Sequence, residues 1–246
     1  MKVPILLPNI FNHPFTYESK INLKVGDYVV VPFGKSKITG VVWDEFEKKN
    51  NRNFKVKNVL KKLDVSPLKK TTIKFLNWFS EYNIIPKGMS LKMVLLSSNA
   101  VEKLQKDNFK TFDSKIKKNS IKLSEEQKRS LKKMNVSNKK FRVHVLHGIT
   151  GSGKTMVYFE ALQEIINKGL QGLILLPEIG LTGQFEKKFL EFFGFTPAVW
   201  HSGISKKRKE IIWSGLTNGE IKVVIGARSS LFLPFKKLGL IIDEKR

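Results

Sequence analysis

No cysteine occurs in the 246 residues, so disulfides and thiolate-bound zinc are excluded within this chain. No apolar run reaches the ~18 residues that a membrane-spanning helix needs, and no membrane partner is expected. The first residues hold one lysine and a short apolar stretch broken by Pro4 and Pro8. They lack the long apolar core and small-residue cleavage site of a secretory signal, so a cytoplasmic location is the expectation. Acid is scarce: 21 Asp and Glu stand against 45 Lys and Arg, a formal net charge of +24. A chain this positive repels itself unless a polyanion is near, which makes nucleic acid the first partner to consider. Arginine is scarce as well, only six of the 45 cations. A lysine-heavy, Asn- and Ile-rich composition also arises from an AT-rich genome. Hydrophobic residues make up 41 %, enough to bury a core.

What is present changes character along the chain. Residues 3–7, 28–31 and 39–43 read as strands, the last two forming a hairpin around Pro32, Phe33, Gly34 and Lys35. One helix follows, capped by Ser66 with Pro67 in its first turn; Ile73, Leu76, Phe79 and Tyr82 share a face, and Trp78 and Phe79 are expected to pack. Pro86 and Gly88 are expected to end it. Together these predict a small, mostly β domain over 1–98. A polar, Lys-rich stretch over 99–121 reads as a basic linker.

From 122 to 246 helices and strands alternate. Helices are expected at 123–134, 154–167, 181–193 and 205–214, and strands at 141–146, 172–176, 197–200, 221–225 and 238–242. That order predicts an α/β lobe with a parallel sheet covered on both faces. The sequence stops four residues after the last strand, so the lobe is expected to be incomplete.

Gly148, Ile149, Thr150, Gly151, Ser152, Gly153, Lys154 and Thr155 fit G-x-x-x-x-G-K-[ST] in full, between an expected strand and an expected helix. Glycines let backbone N–H groups turn inward onto phosphate oxygens, and the helix N-terminus adds the positive end of its dipole. Lys154 is expected on the β- and γ-phosphates of ATP, and the Thr155 hydroxyl on Mg²⁺. The second requirement is a carboxylate at a strand end. Asp243, after the apolar run 238–242, is the candidate Mg²⁺ ligand, and Glu244 the group that orients or deprotonates water.

Three further motifs begin where strands end: Leu175-Leu-Pro-Glu-Ile-Gly-Leu-Thr-Gly-Gln184, Trp200-His-Ser-Gly-Ile-Ser205 and Val224-Ile-Gly-Ala-Arg-Ser-Ser-Leu-Phe-Leu-Pro-Phe235. With the phosphate loop, this series resembles the primosomal protein N′ family of superfamily 2 replication-restart helicases. Val31-Pro-Phe-Gly-Lys35, Gly40-Val-Val42, Trp78, Tyr82, Pro86 and Gly88 look like that family's 3′-end DNA-binding domain. The resemblance implies a RecA-like lobe, ATP with Mg²⁺, forked or single-stranded DNA with its 3′ end as partner, and primosome proteins. It implies 3′–5′ unwinding that restarts stalled forks. By the same resemblance Gln127 reads adenine, Thr182, Gln184, Arg228 and Ser229 grip the DNA backbone, and Lys35 belongs to the DNA-binding domain. Hydroxyl, amide and guanidinium groups at strand ends suit phosphate contacts. Simpler readings stand beside these. Gln127 and Arg228 can be surface residues, His201 a satisfied loop histidine, Trp200 and Trp213 core, and Lys206-Lys-Arg-Lys209 a solvated helix start.

The sequence also departs from the family. Ile242 runs directly into Asp243-Glu244 and then Lys245-Arg246, so the acidic box is one residue short and lacks its second Glu and its His. The second lobe with its arginine finger, and the zinc-binding insertion, are not in the sequence, so no zinc is expected. Residues 99–120 are too few and too polar for a winged helix. Thr16 stands where the family has an acid that receives the DNA 3′ end. Two functional readings remain open: the front part of an ATP-driven helicase, or a DNA- and nucleotide-binding chain without turnover. Another kind of phosphate-loop ATPase is a third, less favoured by the Pro-Glu-Ile and Ile-Gly-Ala-Arg-Ser elements.

Overall fold

The computed structural model describes residues 1–46, 56–96, 101–102, 123–136, 140–149, 151–177 and 183–244. Thr150, Thr182, most of the linker 99–121, the segment 178–182 and the last two residues lie outside this set. The chain forms two compact units, one of residues 1–106, 205–218 and 232–236, the other of 107–204, 219–231 and 237–246.

The first unit is built on an antiparallel sheet. Its strands are β1 (Lys2–Leu6), β2 (Phe15–Glu18), β3 (Tyr28–Phe33), β4 (Ser36–Val42) and β5 (Lys61–Lys62), in the order β2-β1-β4-β3-β5. The expected hairpin forms, with Phe33 opposite Ser36 across a turn of Gly34 and Lys35. β2 and β5 were not anticipated. Side chains along β3 alternate between two cores: Tyr28 and Val30 enter one, Val29 and Val31 the other. The period of two thus serves a sheet buried on both faces.

Helices α1 (Lys70–Asn83) and α2 (Lys87–Leu95) supply Ile73, Leu76, Leu91 and Val94 to the first core. Here the expectations from sequence need correction. Lys69, not Ser66, is the N-cap of α1, and no side chain caps it. Pro86 does not close the helical region but opens a second helix as its N-cap, where a fixed φ and an absent N–H cost nothing. Gly88 lies inside α2 because a Cβ there would run into the carbonyl oxygens of Leu7 and Asn9. Trp78 and Tyr82 are not packed. They are 54 % and 74 % exposed, stacked on each other at 5.3 Å and 22°. The buried stripe of α1 is Ile73, Leu76 and Ser80, and it turns these rings outward. Ser80 sits at the close approach of the two helices, its Oγ 2.7 Å from Ser90 Oγ.

A helix from the far part of the sequence, Lys206–Asn218, belongs to this same unit and is numbered α6 in chain order. Its Trp213 is fully buried, edge-on to Tyr28, and donates from Nε1 to the Val94 carbonyl at 2.7 Å.

The second unit carries a parallel sheet of β6 (Gln171–Leu175), β7 (Ala198–Trp200), β8 (Val223–Gly226) and β9 (Leu238–Asp243), ordered β7-β8-β6-β9. Helices α3 (Glu125–Met134), α4 (Lys154–Asn167) and α5 (Gly183–Phe193) accompany it. Phe159 of α4 is the hub of the core, with the rings of Phe185, Phe189, Phe192 and Phe193 within 5.2–5.8 Å. Buried Gln171 is satisfied on both sides: Nε2 donates to Ile221 O and Oε1 accepts from Lys237 N, both at 2.8 Å.

The strand expected at 141–146 is absent. Phe141, Val143 and Val145 are 92 %, 77 % and 90 % exposed, and the segment makes no ladder with any described residue. Alternation of apolar residues records fitness for a pleated, half-buried surface, and without a paired neighbour it does not make a strand. Among the described residues β9 pairs with β6 alone, and its Leu238 and Ile241 are exposed.

Candidate nucleotide-binding site

The phosphate loop leads into α4, whose N-cap is Gly153 at φ +79°, a left-handed setting natural to glycine. No side chain caps this helix and its first turn holds no acid. The N-terminus therefore presents the positive end of its dipole with no built-in carboxylate to neutralise it. Gly151 is also left-handed, at φ +84°. Lys154 curls back over the loop, its Nζ donating to Gly148 O at 2.5 Å and Ile149 O at 2.9 Å. Ser152 N donates to Ile149 O at 3.2 Å and closes the turn.

Gln127 reaches this loop from α3. Ser124 and Gln127 form a capping box, with Ser124 N donating to Gln127 Oε1 at 2.9 Å and Gln127 N to Ser124 Oγ at 3.2 Å. That fixes the amide so that Nε2 donates to Ser152 O at 3.3 Å and lies against Gly153. A Cβ at Gly153 would collide with it.

Asp243 and Glu244 arrive from the sheet. Asp243 pairs with Leu175 at the end of β9, and Glu244 N donates to Leu175 O at 3.1 Å. The Glu244 carboxylate accepts from the Tyr158 hydroxyl at 2.8 Å, and that hydroxyl lies 3.4 Å from Thr155 Oγ1. Glu244 and Thr155, separate in the sequence, are thus joined through one phenol. Tyr158 escaped the sequence reading because a tyrosine on an amphipathic helix looks like core. Burial also pushes the carboxyl of Glu160, on the same helix, above the usual range.

Of the residues read as DNA-gripping, Thr182 lies outside the described residues, and Gln184, Arg228 and Ser229 follow the C-terminal ends of strands. Gln184 is exposed in the first turn of α5, and Arg228 and Ser229 are exposed in a 3₁₀ turn, Arg228–Phe232, after β8. Ser230 anchors that turn through Oγ to Ala227 O, and Ala227 N donates to Trp200 O at 3.1 Å. His201 accepts from Gly203 N on Nδ1 at 3.1 Å, the satisfied loop histidine of the simpler reading. Trp200 and Trp213 are core.

In the first unit, Lys35 is exposed at the β3–β4 turn, and Lys57 Nζ donates to Gly34 O at 3.4 Å. Beside it lies an aromatic group that the sequence reading missed. Phe15 contacts Phe11 at 5.2 Å and Phe33 at 5.3 Å, both edge to face, and His13 at 5.0 Å. Thr16 follows in β2, opposite Pro4.

Residues 2–96 match the 3'DNA-binding domain (3'BD) family, and residues 120–245 match the family of the Type III restriction enzyme, res subunit. The replication restart protein PriA of Rickettsia conorii is 39 % identical over 246 residues, covering 98 % of this chain. The chain belongs to the PriA family of replication-restart proteins. PriA of Rickettsia felis is 40 % identical over the same share of the chain, and that of Bacillus subtilis 35 % identical over 61 % of it. The chain spans 37 % of the length of the Rickettsia relatives and 19 % of the Bacillus one. No described helix is long and apolar enough to cross a membrane.

Proposed function

We propose that this chain binds ATP with Mg²⁺ on residues 148–155 and DNA on its basic surfaces, as the nucleotide- and DNA-engaging part of a replication-restart helicase. The observation that carries the reading is the loop itself: two left-handed glycines, an uncapped helix N-terminus and Lys154 folded over the turn. A triphosphate fits that arrangement because it replaces the loop carbonyls as the acceptor for Lys154 and meets the positive end of the helix dipole.

Mg²⁺ fits the donors. Among the described residues no three His, Asp or Glu side chains cluster into a metal cage. Mg²⁺ at such loops needs none, since it keeps waters and substrate phosphates and takes one hydroxyl and one carboxylate from the protein. Thr155 and Asp243 would supply those two oxygens. When bound, the ion would offset the charge of the transferring phosphoryl group. Lys154 would neutralise the β- and γ-phosphates, Gln127 would read adenine as the family resemblance implies, and Glu244 would orient water. Gln184, Arg228 and Ser229, with Thr182 by the family resemblance, would grip the DNA backbone, and the likeness to replication restart proteins supports that role. In the first unit Lys35 and the Phe11–Phe15–Phe33 surface would receive the 3′ end, a reading supported by the match of residues 2–96 to a 3'DNA-binding domain. Thr16 offers a hydroxyl there in place of an acid, a contact without charge assistance.

Lys154→Ala tests the reading. It should abolish ATP binding in calorimetry and leave the affinity for forked DNA nearly unchanged, with steep salt dependence retained. A large loss of DNA binding would mean that the loop holds DNA phosphate instead. ATP hydrolysis by the 246-residue chain, with and without forked DNA, then separates a working motor from a binding module. Turnover stimulated by forked DNA would mark a motor, and ATP binding without turnover a binding module.

A further inference from the structure

We propose that Tyr158 is a positioning residue that couples the Thr155 hydroxyl to the Glu244 carboxylate, so that Mg²⁺–nucleotide engagement at Thr155 sets the orientation of Glu244. The proposal rests on the nucleotide reading above and adds a residue with a role to it.

Tyr158 is held from three directions. It lies three residues beyond Thr155 on α4, so the two side chains share a face of the helix. Its ring is 7 % exposed, set edge-on to Phe159 at 5.3 Å within the aromatic core. Its hydroxyl donates to Glu244 Oε2 at 2.8 Å. Glu244 in turn is tied by its own N–H to Leu175 O at 3.1 Å. The phenol oxygen therefore has little freedom, and it stands between the hydroxyl read as a cation ligand and the carboxylate read as the water-orienting group.

A phenol has one proton and spare lone pairs. Given to Glu244, that proton is not available to Thr155, and the 3.4 Å separation from Thr155 Oγ1 is long for a bond between hydroxyls. A threonine oxygen that turns its lone pair to a cation directs its own proton elsewhere, and the phenol oxygen is the acceptor at hand. The result is a one-way chain, Thr155 O–H to Tyr158 O–H to the Glu244 carboxylate. Each donor in such a chain strengthens the next. Cation binding at Thr155 would then tighten the hold on Glu244, and Glu244 would favour cation binding by the same factor, since coupling is reciprocal.

The test compares ATP affinity of the full 246-residue chain with and without MgCl₂ by isothermal titration calorimetry, for wild type, Tyr158→Phe, Glu244→Gln and the double variant. The phenylalanine keeps the ring in the core, and an unchanged far-ultraviolet spectrum and thermal midpoint establish that it folds. Tyr158→Phe should leave affinity for Mg²⁺-free ATP within about twofold and cut the Mg²⁺ enhancement by about tenfold, the effect of one hydrogen bond to a charged group. In the Glu244→Gln background the same change should have little effect. Equal losses with and without Mg²⁺, which a merely structural role would give, overturn the coupling, as does full additivity of the two substitutions. A wild-type chain that binds no ATP at all sinks the nucleotide reading itself. A wild-type chain that binds, with an enhancement untouched in Tyr158→Phe, sinks only the coupling.

Discussion

Gly153→Ala concentrates the argument about the loop into one methyl group. Gly153 sits at φ +79° at the N-cap of α4, where an L-residue costs about 1–2 kcal/mol. The added Cβ also meets Gln127 Nε2 head on, and the amide must leave. Its departure forfeits the bond to Ser152 O at 3.3 Å, about 0.5–1.5 kcal/mol. The two costs together come to about 1.5–3.5 kcal/mol, which weakens binding at the loop by about 10–400-fold. Calorimetric titration with tripolyphosphate, which has no base to confuse the reading of Gln127, measures this directly. Adding Gln127→Ala forfeits the same bond to Ser152 O and keeps the backbone strain, so the double variant should bind about as weakly as Gly153→Ala alone. Wild-type affinity in Gly153→Ala would refute the claim that this backbone shape makes the site. A double variant weaker than Gly153→Ala by the full cost of Gln127→Ala alone would refute the displacement of Gln127 by the added Cβ.

Two predictions concern the first unit. Trp213→Ala should lower stability by about 3–5 kcal/mol, since it empties a fully buried site and strips Val94 O of its donor. Denaturant unfolding followed by circular dichroism checks it, and a loss under about 1 kcal/mol would contradict the assignment of α6 to that core. Tyr28→Phe should be neutral or stabilising at neutral pH, by up to about 1–3 kcal/mol, because the buried hydroxyl has no hydrogen-bond partner among the described residues. Burial holds the Tyr28 hydroxyl well above its ordinary pKa of 10.0. The neutral form's contribution is therefore complete below pH 10.0 and falls away as pH rises past it, so the phenylalanine variant should lose less stability in alkali than wild type.

Composition and motif were sufficient for some features because they are local. Lys154–Asn167 forms the helix expected at 154–167, with glycine punctuation ahead of it, and the β3–β4 hairpin follows from two β-branched runs around Gly34. The phosphate loop and the acidic pair were legible as strings because close backbone approach and cation binding demand those residue types at that spacing. Features that depend on partners were not legible. Residues 141–146 have the alternation of a strand, yet a strand exists only where another backbone ladders with it. Pro86 reads as a stop and acts as a start, because the fate of the chain after it is set by Gly88 packing on the Leu7 and Asn9 carbonyls. Trp78 and Tyr82 look like core and lie outside, because the Ser80–Ser90 contact turns another stripe of α1 inward.

The sequence alone determined which chemistry this protein could attempt: a phosphate loop, an acidic pair, an excess of cations. Tertiary structure alone decided which groups meet. Gln127 touches Ser152, and Tyr158 links Thr155 to Glu244 across 86 residues of separation from the acid. Contacts of that range follow from how helices and strands pack, and spacing along a chain carries no record of it.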